Sequence, residues 1–489
     1  PESIIDNDIN TYLYKDSPYE YESGGDPRVI KDLSFDEFKE FYENHYHPSN
    51  AYIYFYGDLD IDFYLDHLDK EYLSNYDYKD FGYDIKVPDN YFDSLIESTY
   101  PTSNISENSD YLAYGFLTKE NPDTKYSLTL AILVSILFHM DSSIIKKQIN
   151  EEIDPESFSP RAGYGVRSSL VLLAQKADGD KLDRFVEIIE DGLKEASLGL
   201  NKESLKAAFS IFQYGQRDQL NSVNRGLNYF LMWSFEKSIF ESFEIVSYLN
   251  ELGDLLETDY YENFIKENFI DNPTKLIYIA RPSKTYMEDK KNDFDSYIKS
   301  VNESLDKESR QVIKEDLAKL EIHQNSKDSE EDKATIPVLN IEDVPTIIDK
   351  TPRELIKDKF TYIYHDMDTA GLIYTSLYFD VNHLSLDELK YLSLINDFMG
   401  SVNTSNLSYT EIDDILFQYL SAPNFSNTII NVNERQVEAL EKVSFMSTEK
   451  TFEKAIDLIY NTHKNNKKIF LTGMGVSSIL AESLQIKLM

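Results

Sequence analysis

Cysteine is absent from all 489 residues. Disulfide staples, thiolate metal sites and cysteine nucleophiles are therefore excluded. A chain without thiols fits a reducing compartment, and the cytoplasm is the expected location. Positive charge is scarce, with 48 Lys plus Arg against 87 Asp plus Glu and a formal net charge of −39. Such a field repels polyphosphate, so nucleic acid is not an expected partner. It attracts basic peptides, although an acidic surface also serves solubility alone. No apolar run reaches the roughly 20 residues that a membrane-spanning helix needs. The longest, Leu128 to Met140, reads as a buried helix, and no membrane partner is expected.

Chemical motifs are equally sparse. The eight histidines are His45, His47, His67, His139, His323, His365, His383 and His463. A helical zinc-peptidase site needs two His on one face with a Glu beside them, as H-E-x-x-H or H-x-x-E-H. Neither pattern occurs. His45 and His47 form an H-x-H at a helix end, which reads as a pair favoured by the C-terminal helix dipole. No Ser in the first 425 residues sits in a G-x-S-x-G elbow, and there is no P-loop. Among 87 acids, close carboxylate pairs arise by coincidence, and none is assigned an acid/base role.

What is present is a succession of mixed strand and helix patterns. Residues 1–33 are polar and read as loop-rich, entered as if inside a domain, which suggests a cut end at Pro1. Ser34 opens a helix with a capping box, since Glu37 lies three residues on. Phe35, Phe38, Phe41 and Tyr42 give that helix a face expected to be buried. Residues 51–56, rich in Tyr, Ile and Phe, read as a strand, and a helix follows over about 60–75. The pattern then restarts: strand 111–117, helix 128–140, strand 168–174, helices 181–198 and 202–219, helical residues 225–255 and strand 275–280. Two such blocks in series indicate an α+β repeat pair. Residues 282–335 are highly charged and fit a solvated helical pair that bridges domains. A strand at 371–379 and a helix at 386–399 open a third block with little room to finish before about residue 425.

One glycine motif stands apart, Lys468 to Ser478. It joins a strand, the turn Gly473-Met474-Gly475 and the hydroxyls of Ser477 and Ser478 at a helix start. Helix-start amides and hydroxyls suit phosphate, while a plain tight turn is the alternative.

Several of these stretches resemble a known family. Ser23-Gly24-Gly25-Asp26-Pro27, Leu33 to Phe38, and His45-Tyr46-His47-Pro48-Ser49-Asn50-Ala51 ending at Tyr56-Gly57-Asp58 are similar to the presequence-protease subfamily of the pitrilysin/insulinase-type zinc metallopeptidases. Asp332 to Pro337 and Tyr378 to Val381 resemble its later segments, so the likeness spans about residues 1–420. It implies repeated α+β clamshell domains joined by a helical linker, here truncated at both ends. The implied division is 1–97 as the C-terminal part of a first peptidase domain, 98–281 as a second, 282–350 as linker and 351–425 as the start of a third. The resemblance also implies a zinc cofactor held by H-x-x-E-H and a distal Glu, with peptide substrates, but those ligands lie upstream of Pro1. No catalytic or metal residue carries over. From Glu434 onward, Val443 to Met446, Thr451 to Tyr460, Lys468 to Ser478 and Leu484 to Met489 resemble the start of an RpiR-type sugar-isomerase (SIS) domain. That likeness would make Gly473, Gly475, Ser477 and Ser478 phosphosugar ligands in a partial segment 434–489.

Three functions follow from these readings. The first is a fragment of a zinc metalloendopeptidase for short unstructured peptides, inactive alone and completed by the missing N- and C-terminal parts of the same enzyme. The second is a non-catalytic peptide-binding or partner subunit of that family. The third is a phosphosugar-responsive regulator.

Overall fold

The computed structural model describes residues 2–474 apart from 83–84, 88–94, 107, 234–240, 345, 347–349, 358–360, 382–383, 399–401, 434–435, 449–450, 453 and 455–468. The first block opens with helices α1 (Glu2–Leu13), α2 (Pro27–Ile30), α3 (Phe35–His45) and α4 (Ile61–Glu71). The second comprises β1 (Ile96–Pro101), β2 (Asp110–Glu120), α5 (Thr124–Val134), α6 (Ile144–Gln148), β3 (Ser157–Gly163) and β4 (Arg167–Ala177). It continues through α7 (Leu182–Leu198), α8 (Lys202–Gln219), α9 (Arg225–Trp233), α10 (Ile245–Asp254), α11 (Tyr260–Ile265) and β5 (Lys275–Ser283).

The second block is the best-built part of the molecule. Its five strands run in the order β1-β5-β2-β4-β3, with β2 central and antiparallel to both β4 and β5. One face carries Leu112, Tyr114, Phe116, Leu170 and Leu172, which pack with the helices above them into a single buried cluster. The expected buried helix belongs to that cluster. By length and composition the helical run Thr124–Ile153 could cross a membrane, yet 67 % of its apolar window is buried inside the protein. Tyr114, fully buried on β2, donates to Glu190 Oε1 at 2.6 Å, and Lys275 pairs with the same carboxylate at 3.2 Å. Burial first, then the neighbouring Glu190 charge, pushes the Tyr114 hydroxyl well above its ordinary pKa.

The opposite face of this sheet is apolar too, through Tyr111, Ala113, Leu173, Leu276 and Tyr278. α1 covers it, which corrects the reading of residues 1–33 as loop. Ile5, Ile9 and Leu13 recur every four residues, so they form one stripe of a helix, and all three are buried. Leu13 lies over Gly115 in β2, where a Cβ would stand 3.5 Å from its nearest methyl group. Tyr278 donates to Asp8 Oδ2 at 2.9 Å, and Arg161 pairs with Asp6 at 2.7 Å. The half-exposed ion pair adds little, whereas each buried aliphatic of α1 contributes about 2 kcal/mol.

The capping box of α3 forms as expected: the Ser34 amide donates to Glu37 Oε2 at 2.9 Å, and the Glu37 amide to Ser34 Oγ at 3.2 Å. Its apolar face does not become buried, and Phe35, Phe38, Phe41 and Tyr42 stay largely exposed. Among the described residues no element packs over that face. Rings instead stack along the helix, Phe41 on His45 at 4.1 Å and Tyr42 on Tyr46 at 4.8 Å. Residues 51–56, expected as a strand, join no β-ladder among the described residues.

Residues 99–105 and 282–352 form a second compact unit. It contains α12 (Tyr286–Ser304), α13 (Lys307–Gln324) and α14 (Glu330–Ala334), and none of these helices has a buried residue. Such exposure suits the charged composition of the segment.

The third block holds β6 (Glu354–Lys357), β7 (Thr361–His365), β8 (Leu372–Asp380), α15 (Leu386–Phe398), α16 (Tyr409–Tyr419), β9 (Ser421–Asn433), β10 (Gln436–Thr448) and β11 (Ile469–Met474). Its sheet runs β6-β7-β11-β8-β10-β9. Neither an end near residue 425 nor a separate segment from 434 describes this arrangement. β9 and β10 flank residue 434 and pair with each other as antiparallel neighbours, and β10 also pairs with β8. Val443 to Met446, matched above to the SIS domain, thus belong to the third block's sheet. Most of the expected helix Thr451 to Tyr460, and all of Leu484 to Met489, lie outside the described residues.

Leu13→Ala is expected to destabilise the second block by about 3 kcal/mol through the cavity it leaves, read as a lower urea midpoint; an unchanged midpoint would show that α1 is not seated on the sheet. A second outcome follows from Glu262, whose side chain is buried and ion-paired with Lys202 at 2.8 Å. Burial alone would raise its pKa, but bonds from Lys202 and the Leu200 amide outweigh it and hold the carboxyl below its ordinary 4.5. A lowered native pKa stabilises the fold above about pH 4.5 and loses that effect as pH falls through the native value. Glu262→Gln should therefore cost about 2 kcal/mol at pH 7 and flatten the stability loss below about pH 4.5. An unaltered acid limb would count against this pair.

Candidate functional site

Zinc chemistry requires converging donors, and the histidines do not supply them. His45 Nδ1 donates to the Phe41 carbonyl at 2.8 Å, one helical turn back. His47 caps a short turn, its Nδ1 accepting from the Ser49 amide at 3.1 Å, and its ring packs against Tyr76 and Phe81 at 5.4 and 5.8 Å. Hydrogen bonding and ring packing thus account for both side chains. His139 is exposed, and desolvation of its ring followed by the nearby Lys146 charge lowers its pKa. Among the described residues no three His, Asp or Glu side chains cluster as a metal site. The described side chains do not fit a catalytic zinc; His383 and His463 lie outside them.

Of the four phosphosugar candidates, Gly473 alone is placed. It sits inside β11, opposite Tyr364 of the parallel neighbour β7 and Thr375 of β8. Gly475, Ser477 and Ser478 lie outside the described residues.

A cleft of about 710 Å³ opens where β2 ends against α11 and the turn after it. Tyr126, buried on α5, donates to Asn268 Oδ1 at 2.7 Å and accepts from the Lys119 amide at 3.2 Å. Asn272 donates to the Leu117 carbonyl at 2.6 Å, and Arg167 Nε to the Thr118 carbonyl at 3.0 Å. Burial raises the Tyr126 pKa, so the hydroxyl stays protonated at neutral pH. Cations Lys119, Lys125 and Arg167 share the rim with Asp123, Glu267 and Asp271. Lys119 pairs with Asp123 at 3.1 Å and Lys125 with Glu251 at 3.0 Å. The network ties the end of the sheet to its helical layer and presents no nucleophile beside a base. Sequence reading did not find it, because its partners lie 7 to 155 residues apart.

The first block exposes many large apolar side chains. Besides the α3 face, Tyr52, Ile53, Phe63, Leu65 and Tyr72 are exposed. Clustered apolar exposure of this kind marks an interaction surface.

Comparison with known proteins bears on these features. The family model described as "Peptidase M16 inactive domain" matches residues 32–211. The model for the region associated with subfamily C of the same M16 peptidases matches residues 281–467. The second match crosses residue 434, and nothing in these comparisons supports an SIS domain there. "Protein HypA" of Clostridium perfringens is 26 % identical over 474 residues, covering 94 % of this chain and 48 % of that protein. "Presequence protease 1, chloroplastic/mitochondrial" of Arabidopsis thaliana is 24 % identical, covering 85 % of this chain and 40 % of its own length. The chain thus spans about half the length of the curated relatives it matches. Among solved structures, the periplasmic protease PqqL from Escherichia coli gives a TM-score of 0.42 at 12 % identity over 95 % of this chain and 50 % of its own. A protease from Helicobacter pylori gives 0.45 at 14 % over 58 % and 67 %. Residues 32–211 and 281–467 are thus peptidase M16 family domains, the inactive domain followed by the region associated with subfamily C.

Proposed function

We propose that this chain is the non-metal-binding portion of a presequence-protease-type zinc metalloendopeptidase acting on short unstructured peptides. It does not cleave peptides alone. The observation that carries this reading is a pairing. Two M16 family segments follow each other in order, while the described residues offer no converging set of zinc donors. The zinc ligands would come from a further polypeptide segment bearing H-x-x-E-H and a distal Glu. The net charge of −39 supports basic peptides as substrates.

A quenched fluorogenic peptide tests the proposal. The purified chain with added zinc is expected to give no turnover above buffer. Mixing it with a presequence-protease segment carrying H-x-x-E-H is expected to raise chelator-sensitive turnover on the order of 100-fold over either component. Chelator-sensitive turnover by the chain alone would overturn the reading. No turnover in the mixture would favour a non-catalytic partner subunit instead.

A further inference from the structure

Residues 106–281 and 353–489 belong to one compact unit, while the intervening residues 282–352 belong to another. The helices of that intervening segment bury no residue, so they add little packing energy to any association. The second and third blocks instead meet directly, and they meet on α8. Phe417 of α16 packs against the second block's hydrophobic cluster. Tyr214, buried on α8, shares a hydrogen bond of 3.1 Å with Thr451 Oγ1.

The C-terminal end of α8 carries the polar part of this contact. There it meets the tight turn that leads from β7 into β8. Ala370 and Gly371 at the centre of the turn have φ of 52° and 79°, and the Leu372 amide closes it onto the Thr369 carbonyl at 3.0 Å. Asn221 Nδ2 donates to that same carbonyl at 2.9 Å and to the Tyr374 hydroxyl oxygen at 2.9 Å. Both hydrogens of one side-chain amide are thus used on the third block. The Tyr374 hydroxyl in turn donates to Asp218 Oδ1. Burial, then the bond to Asp218, pushes the Tyr374 pKa up to about 12, so the donated proton stays in place.

We infer that α8 is the docking face for the third block, and that this contact, not the segment 282–352, holds the two blocks together. The segment then acts as a tether, which raises the local concentration of one block at the other. A chain cut within it should remain one particle. The inference uses neither zinc nor peptide cleavage, so it goes beyond the peptidase reading and can fail separately from it.

The test uses the full chain. Residues 326–329, between α13 and α14, are exposed and outside any helix, so a site for a sequence-specific protease can be inserted there. After cleavage under native conditions, the two pieces are expected to co-elute as one species on size exclusion. Asn221→Asp changes an exposed side chain, removes both donated hydrogens and sets a carboxylate against the Thr369 carbonyl. While uncut, this variant keeps its blocks tethered, so its circular dichroism should match the parent. Once cut, its pieces should separate on dilution at least tenfold more readily than those of the parent. Tyr374→Phe, which loses only the hydroxyl, should shift the cut chain in the same direction. Separation of the cut parent, or equal dilution profiles for the cut parent and both variants, would each overturn the inference.

Discussion

Both faces of the second block's sheet are apolar, and that constraint organises the molecule. A sheet of this kind must be covered twice. The helices from α5 to α11 bury one face within the chain's hydrophobic cluster. The other face is covered by α1, a helix from the start of the chain. The first and second blocks are therefore tied by packing as well as by sequence, through Leu13 over Gly115 and Tyr278 on Asp8.

The same rule explains what is unusual in the first block. Its helices carry apolar faces of the same kind, but among the described residues no sheet fills the space between them. The exposed rings of α3 are the visible consequence.

Much of this architecture was legible in the sequence where local signals and tertiary context agree. The α3 capping box follows from Ser34 and Glu37 alone, and the strands at 111–117, 168–174 and 275–280 follow from short, largely apolar runs. α1 went unread because its three aliphatics sit among Asp, Asn and Tyr, so average polarity hid the four-residue repeat. Residues 51–56 have the composition of a strand yet enter no ladder among the described residues, because pairing depends on neighbours that composition does not reveal. In the tail, Gly473 lies in a strand between β7 and β8, while Gly475, Ser477 and Ser478 of the Gly-x-Gly pattern lie outside the described residues. The Tyr126–Asn268 network, spanning 142 residues, had no local signature at all.

Amide hydrogen exchange along the unliganded chain tests the central claim, a completed second block beside an open first one, most directly. Amides of β2, β4 and β5 should exchange only through the largest openings of the fold, while those of residues 53–56 should exchange orders of magnitude faster. Protection at 53–56 equal to that of β2 would contradict the account, since it would mean that the first block already has its sheet.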